Sequence, residues 1–214
     1  MMLTSFADTM RRSGMILAMV LCAVCASAAV LAQGSSAQDQ IKETVDQILA
    51  TLSDKAVDST ARRSKISRLI RDRFDFRTMA QMTLATNWKK ATEVQRSRFI
   101  ELFSQLLEET YMGRIEAYTD EKVNFVAEKV KGDKAMVDTR IVTKTVEIPI
   151  DYKLVLQENT WQVYDVVIEE VSLVRSYRSN YADIVEKEGM DGLLVKMQEK
   201  LTQIRSAPPA PKAG

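Results

Sequence analysis

The sequence predicts an α+β fold, a four-stranded antiparallel curved sheet covered by helices and enclosing an apolar interior. Three observations predict it. Apolar residues recur at helical spacing across 39–117, they alternate in strand fashion between turn signals across 122–170, and helical spacing returns across 172–204. Helices, then a meander, then helices give a sheet with a helical layer on one face. The change of period within 161–181 runs a strand almost directly into a helix, and so sets how the two layers meet.

Each element has its own warrant. Ile41, Val45, Ile48, Leu49 and Leu52 form one face of an amphipathic helix starting near Asp39. A second helix carries Ile66, Leu69 and Ile70 opposite Arg62, Arg63, Lys65, Arg68, Arg71 and Arg73, the densest basic cluster in the chain. Such a cluster is either a solvated face or a docking surface for an acidic partner or lipid headgroups; the docking candidates are Arg62, Arg63, Arg68 and Arg71. Asp75 reads as an N-cap, with Phe74 and Met79 as a hydrophobic staple, for a short helix ending before Asn87. Thr92 and Gln95 form a capping box for a helix whose stripe runs through Phe99, Leu102, Phe103, Leu106, Tyr111 and Ile115.

Four strands follow. Val123, Phe125 and Ala127 alternate; Ala135, Val137, Thr139 and Ile141 alternate after the turn signal Lys131-Gly132-Asp133; and Ile148, Ile150, Tyr152, Leu154 and Leu156 make the third. Pro149 suggests an edge position or a bulge there. Glu158-Asn159 turns the chain into the fourth strand, over 161–169. Two helices close the chain, over 172–187 and 190–204, with Gly189 as the break. The tail at 207–214 is too poor in apolar residues to pack.

Residues 1–32 stand outside this domain, which is expected to span 33–206. Arg11 and Arg12 precede an uncharged run from Met15 to Leu31, and both Ala26-Ser27-Ala28 and Val30-Leu31-Ala32 fit a signal-peptidase site. The polar Gln33-Gly34-Ser35-Ser36 favours cleavage after Ala32; an uncleaved anchor is the alternative. Both cysteines, Cys22 and Cys25, leave with the signal, so the exported chain has no disulfide or thiolate chemistry. Cleavage removes Arg11, Arg12 and Asp8 from 30 basic and 29 acidic residues, leaving 28 of each. A neutral chain has no global field to gather nucleic acid or anionic membrane.

The chain contains no histidine and only seven glycines, none in a phosphate-binding loop. Histidine triads and the usual zinc sites are thereby excluded, no metal site is expected, and no cofactor is expected. One enzyme-like candidate remains. Asp165, beside Tyr164 in an apolar strand, has the setting of a carboxylate base for a carbon acid, as in an isomerase or lyase. The structural reading makes it a buried polar tie to Arg175 or Arg178. Trp88 and Trp161 read as core or as ligand-lining, and Met79, Met82, Met112 and Met136 as a surface that adapts to variable ligands.

Four ordered blocks carry a resemblance. They are Phe74-Asp75-Phe76 with Met79-Ala80 and Trp88; Phe99 to Leu107 with Thr110-Tyr111; Asp151-Tyr152 with Trp161 to Val166, Val171 to Val174 and Tyr177-Arg178; and Gly189-Met190-Asp191-Gly192-Leu193. In this order they resemble the MlaC family, the toluene-tolerance or ABC-transporter auxiliary proteins, over about 39–203. Many members carry glycine where this chain has Glu170, and another near Ala85-Thr86. The resemblance implies an NTF2-like cone and a non-enzymatic periplasmic phospholipid carrier that serves outer-membrane lipid asymmetry. Its implied partners are phospholipid, the MCE-domain subunit of an inner-membrane ABC lipid transporter and an outer-membrane lipoprotein–porin complex, with no nucleic acid. Hopanoid is the alternative cargo, and the direction of transport stays open.

On that reading, alternation selects Phe125, Val137, Ile141, Ile150, Tyr152, Leu154, Val163 and Val166 as the sheet wall of a lipid pocket. Helical stripes select Met79, Phe99, Phe103, Tyr111, Leu173 and Tyr177 as its cover. Asp165 and Arg178 are expected to be structural.

Overall fold

The computed structural model describes residues 35–118 and 121–206. The chain separates into two units, 1–34 and 35–214; the expected signal segment and the expected tail at 207–214 both lie outside the described residues. Among the described residues five helices come first: α1 (Ala37–Ser53), α2 (Ser59–Arg73), α3 (Phe76–Leu84), α4 (Thr86–Lys90) and α5 (Glu93–Glu116). The strands β1 (Lys122–Lys131), β2 (Lys134–Val142), β3 (Glu147–Gln157), β4 (Thr160–Ile168) and β5 (Val171–Ser172) follow, and α6 (Leu173–Ser206) closes the fold.

Local capping sets the helix starts. The Ser36 hydroxyl accepts the Asp39 N–H, so α1 begins two residues before the periodicity suggests. Asp58 accepts the N–H groups of Thr60 and Ala61, and Asp75 that of Thr78. The capping box at Thr92 and Gln95 is present in both directions. The short helix does not simply end before Asn87. Ala85 turns the chain at φ 50°, and Asn87 and Trp88 fall in the separate helix α4.

The sheet is an antiparallel meander in the order β1-β2-β3-β4-β5, one strand more than expected. The extra strand comes from the junction of the layers. The chain does not pass straight from β4 into a helix; it reverses at Glu169 and Glu170, φ 48° and 67°, and pairs Val171 and Ser172 back onto Ile168 and Val167. Pro149 is neither at an edge nor in a bulge. It lies in the central strand β3, where its carbonyl accepts the Glu169 N–H beyond the last β4 pair, Ile150–Ile168. Its missing donor therefore faces a turn and costs the ladder nothing.

Two bulges change the phase of the strands. At Val126 an extra residue sets Phe125 opposite Thr139 but Ala127 opposite Asp138, so the alternation of Val123, Phe125 and Ala127 breaks. Glu128 and Val130 then take the positions opposite Val137 and Ala135. A second bulge in β4 pairs Lys153 with Asp165 and Leu154 with Val163, so that Val163 and Val166 both serve the inner face.

Two hydrophobic cores result. One lies among the helices and contains Met79, Leu84, Trp88, Phe99, Phe103, Tyr181, Leu193 and Met197. The other joins α1, through Ala37 and Ile41, to Ala135, Val137, Leu154, Trp161, Val163 and Val166 of the sheet. A polar anchor holds α1 there. Gln40 accepts the Trp161 N–H, and Arg73 donates to Gln40, Thr44 and the Trp161 carbonyl. Burial lowers the Arg73 pKa, with Glu43 and Asp72 pulling it the other way.

Candidate functional site

The two cores meet along a seam. Phe74 and Leu173 are the described residues packed against both. Phe74 reaches the sheet because the Asp75 N–H donates to the Val163 carbonyl, an isolated parallel bridge from the end of α2 to β4. Leu173 reaches it because α6 starts directly from β5.

The fourteen pocket candidates divide evenly on either side of this seam's surface. Met79, Phe99, Phe103, Val137, Leu154 and Val163 are 0% exposed, and Val166 is nearly as enclosed; these are packed core. Tyr111, Phe125, Ile141, Ile150, Tyr152, Leu173 and Tyr177 keep accessible surface. On β3 the boundary is sharp, since Ile148, Ile150 and Tyr152 are accessible and Leu154 is not. Sequence reasoning missed Phe74, which looked like a staple residue only. It also missed Ile168, which packs against the sheet core and pairs with Ile150 across the ladder.

Burial is the largest influence on the tyrosines near the seam. Burial pushes the Tyr152 pKa up to about 12, although the residue remains partly accessible. Tyr177 is raised by burial first and then by Tyr111, with a side-chain hydrogen bond to Thr110 acting the other way. Tyr181 is raised by burial, then by Tyr177. These rings form an edge-on cluster: Phe103 with Tyr177 at 5.4 Å, and Phe99 with Tyr181 at 5.8 Å.

Asp165 is a tie between layers. It is 4% exposed. Oδ2 accepts from Lys153 Nζ at 3.1 Å and Ser172 Oγ at 2.8 Å, while Oδ1 accepts the Val174 N–H at 3.2 Å. Its partners are therefore not Arg175 or Arg178; the β4 bulge points it at Lys153 and the start of α6. Both oxygens thus accept bonds that tie β4 to β3, to β5 and to the start of α6. Arg178 donates instead to the Met82 carbonyl, locking α6 to α3. Trp88 is buried under the Arg96 guanidinium, 5.4 Å from its ring centroid.

The α2 arginines are mostly engaged. Arg62 donates to the Val57 carbonyl, Arg63 pairs with Glu109 and Glu116, and Arg71 pairs with Glu108, all three acids being on α5. Arg68 is exposed, as is Lys65. Among the described residues, no group of three or more acidic, histidine or cysteine side chains is placed to hold a metal. No described helix is long and apolar enough to cross a membrane.

A five-stranded meander lies against a helical layer, and partly accessible apolar side chains border the seam where the two cores meet. The sequence profile of the MlaC protein family matches residues 42–199, and the chain belongs to that family. The intermembrane phospholipid transport system binding protein MlaC of Haemophilus influenzae is 29% identical over 126 residues, 56% of this chain and 59% of that protein's length. A phospholipid-binding protein from Ralstonia solanacearum, solved in complex with a phospholipid, superposes with a TM-score of 0.74 at 24% identity. That likeness covers 80% of this chain and 100% of the other, and shows the fold.

Proposed function

We propose that this chain is a soluble periplasmic phospholipid carrier of an Mla-type ABC transport system, that it holds acyl chains along the seam, and that it is not an enzyme. The observation that carries this reading is the division of the core: the sheet and helical layers meet through Phe74 and Leu173, and partly accessible apolar side chains flank that line. The naming of a relative as a phospholipid transport binding protein, and of a structural neighbour as phospholipid-bound, agrees with it. The route into the periplasm is the cleaved segment 1–32. The partners are the MCE-domain subunit of the inner-membrane transporter and the outer-membrane lipoprotein–porin complex, with Lys65, Arg68 and Arg71 exposed on the α2 docking face.

The energetics suit a shuttle. Each methylene taken from water is worth roughly 0.8 kcal/mol, so about thirty of them gain on the order of 24 kcal/mol gross. A bilayer offers nearly the same gain, which leaves transfer between membrane and carrier close to balance. Direction then comes from the partners, not from the carrier's own affinity.

Mass spectrometry of protein purified without detergent tests the proposal. Co-purifying phospholipid is expected, in roughly equimolar amount; recovered hopanoid would reassign the cargo, and an empty protein from every host would end the carrier reading. Asp165→Asn should keep its lipid, because Asp165 is a buried tie between β4, β5 and α6.

A further inference from the structure

Most charged side chains on α5 are already committed. On α5, Glu108 pairs with Arg71, Glu109 with Arg63 and Arg205, and Glu116 with Arg63. The arginines of the same helix are used too: Arg96 with Glu93 and the Trp88 carbonyl, Arg98 with Glu101 and Gln198. Arg114 differs. It is exposed, and its guanidinium lies 5.9 Å from the centroid of the Tyr111 ring with no carboxylate partner among the described residues.

Its position follows from a chain of contacts that begins in the seam. Leu173 packs against both cores. One turn further along α6, Tyr177 lies edge-on to Phe103 of α5, and Tyr177 and Tyr111 pack against the same helical core. Tyr111 packs against the helical core and carries Arg114 over its ring. The series Leu173, Tyr177, Tyr111, Arg114 thus passes from the enclosed seam, through two phenols, to a solvent-facing cation. Apolar, then amphipathic, then cationic is the order of groups met along a phospholipid from tail to phosphate.

We propose that Arg114 binds the phosphodiester of the cargo at the mouth of the seam, with the acyl chains entering past Tyr177 and Leu173. The inference rests on the carrier reading and adds an orientation to it. A guanidinium presents two parallel N–H donors to a phosphate, and stacking on Tyr111 limits the conformational freedom lost on binding. The plainer role for a basic residue in the last turn of a helix is to offset the negative end of the helix dipole. That role predicts no preference among ligands.

Loading from vesicles separates the two. The full chain, as processed in its host, is offered vesicles of phosphatidylglycerol with an equal amount of diacylglycerol bearing the same acyl chains, and bound lipid is counted by mass spectrometry. The wild type should enrich the phospholipid by about fivefold, the size expected of one partly exposed ion pair, and less at high salt. Arg114→Gln should bring the ratio near one at an unchanged melting temperature; Arg114→Lys should fall between. An unchanged ratio in Arg114→Gln overturns the proposal while leaving the carrier reading intact. Uptake of neither lipid by the wild type overturns both. Inorganic phosphate alone should not displace bound lipid at millimolar concentration; displacement would make this a site for the free anion and overturn the assignment to a lipid headgroup.

Discussion

Glu170 and Ala85 hold backbone angles that favour glycine. Glu170 sits at φ 67° in the β4–β5 turn, and Ala85 at φ 50° and ψ −119° between α3 and α4. The family resemblance implies glycine at or near both places, and the positive φ angles supply the reason such a glycine is useful. A side chain in this region costs about 1–3 kcal/mol, against roughly 0.5–1 kcal/mol of extra chain entropy for glycine. Glu170→Gly should therefore raise the unfolding free energy by about 1 kcal/mol, seen as a higher urea midpoint at constant slope. No gain would mean that the turn relaxes in solution. Asp165 teaches a different lesson at the same scale. That it is a buried tie was legible from its apolar surroundings, but its partners were not, because Lys153 lies across the sheet and Ser172 beyond a turn that the sequence does not announce.

At the scale of elements, α6 is two arms joined at Gly189, φ 73° and ψ −178°. The first arm runs antiparallel to α5, with Tyr177 beside Phe103 and Tyr181 beside Phe99. The second returns parallel to it, through Asp191 to Gln95, Gln198 to Arg98, and Arg205 to Gln105 and Glu109. One glycine thus folds both arms onto the same helix. Gly192 lets them close, since a Cβ there would lie 2.5 Å from that of Glu188. At Gly189 a Cβ would meet nothing within 4 Å, so Gly189→Ala tests the backbone alone. A loss of about 2 kcal/mol is expected in chemical denaturation; a neutral result would show that the reversal tolerates an ordinary residue.

For the whole molecule, the tyrosines bordering the seam predict alkaline behaviour. Tyr111, Tyr152, Tyr177 and Tyr181 all have raised pKa values, with burial the largest cause, and Tyr152 reaches about 12. An unfolded tyrosine ionises near pH 10. Below that pH both states are neutral and these groups contribute no pH dependence. As pH rises from about 10 to about 12, the unfolded chain ionises first, so stability falls across that window. Tyr152→Phe should flatten the fall in denaturant titrations. On the carrier reading, lipid in the seam removes the remaining water, so tyrosinate absorbance should rise at higher pH in loaded protein than in stripped protein.

The sequence by itself determined what depends on near neighbours. Helical periodicity, the caps at Asp75 and Thr92, the turns at Gly132 and Glu158-Asn159, and the reversal at Gly189 are all encoded within a few residues. The antiparallel meander follows, because short connections allow little else. The ordered motifs also pointed to the family. Tertiary structure decided which apolar residues keep surface. Phe103 and Tyr177 touch one another, yet one is sealed and the other opens onto the seam. It also decided the strand phase after the bulges and committed Arg63 and Arg71 to α5. Exposure and pairing are properties of what packs opposite a side chain, and in these cases the opposing group comes from a distant part of the chain.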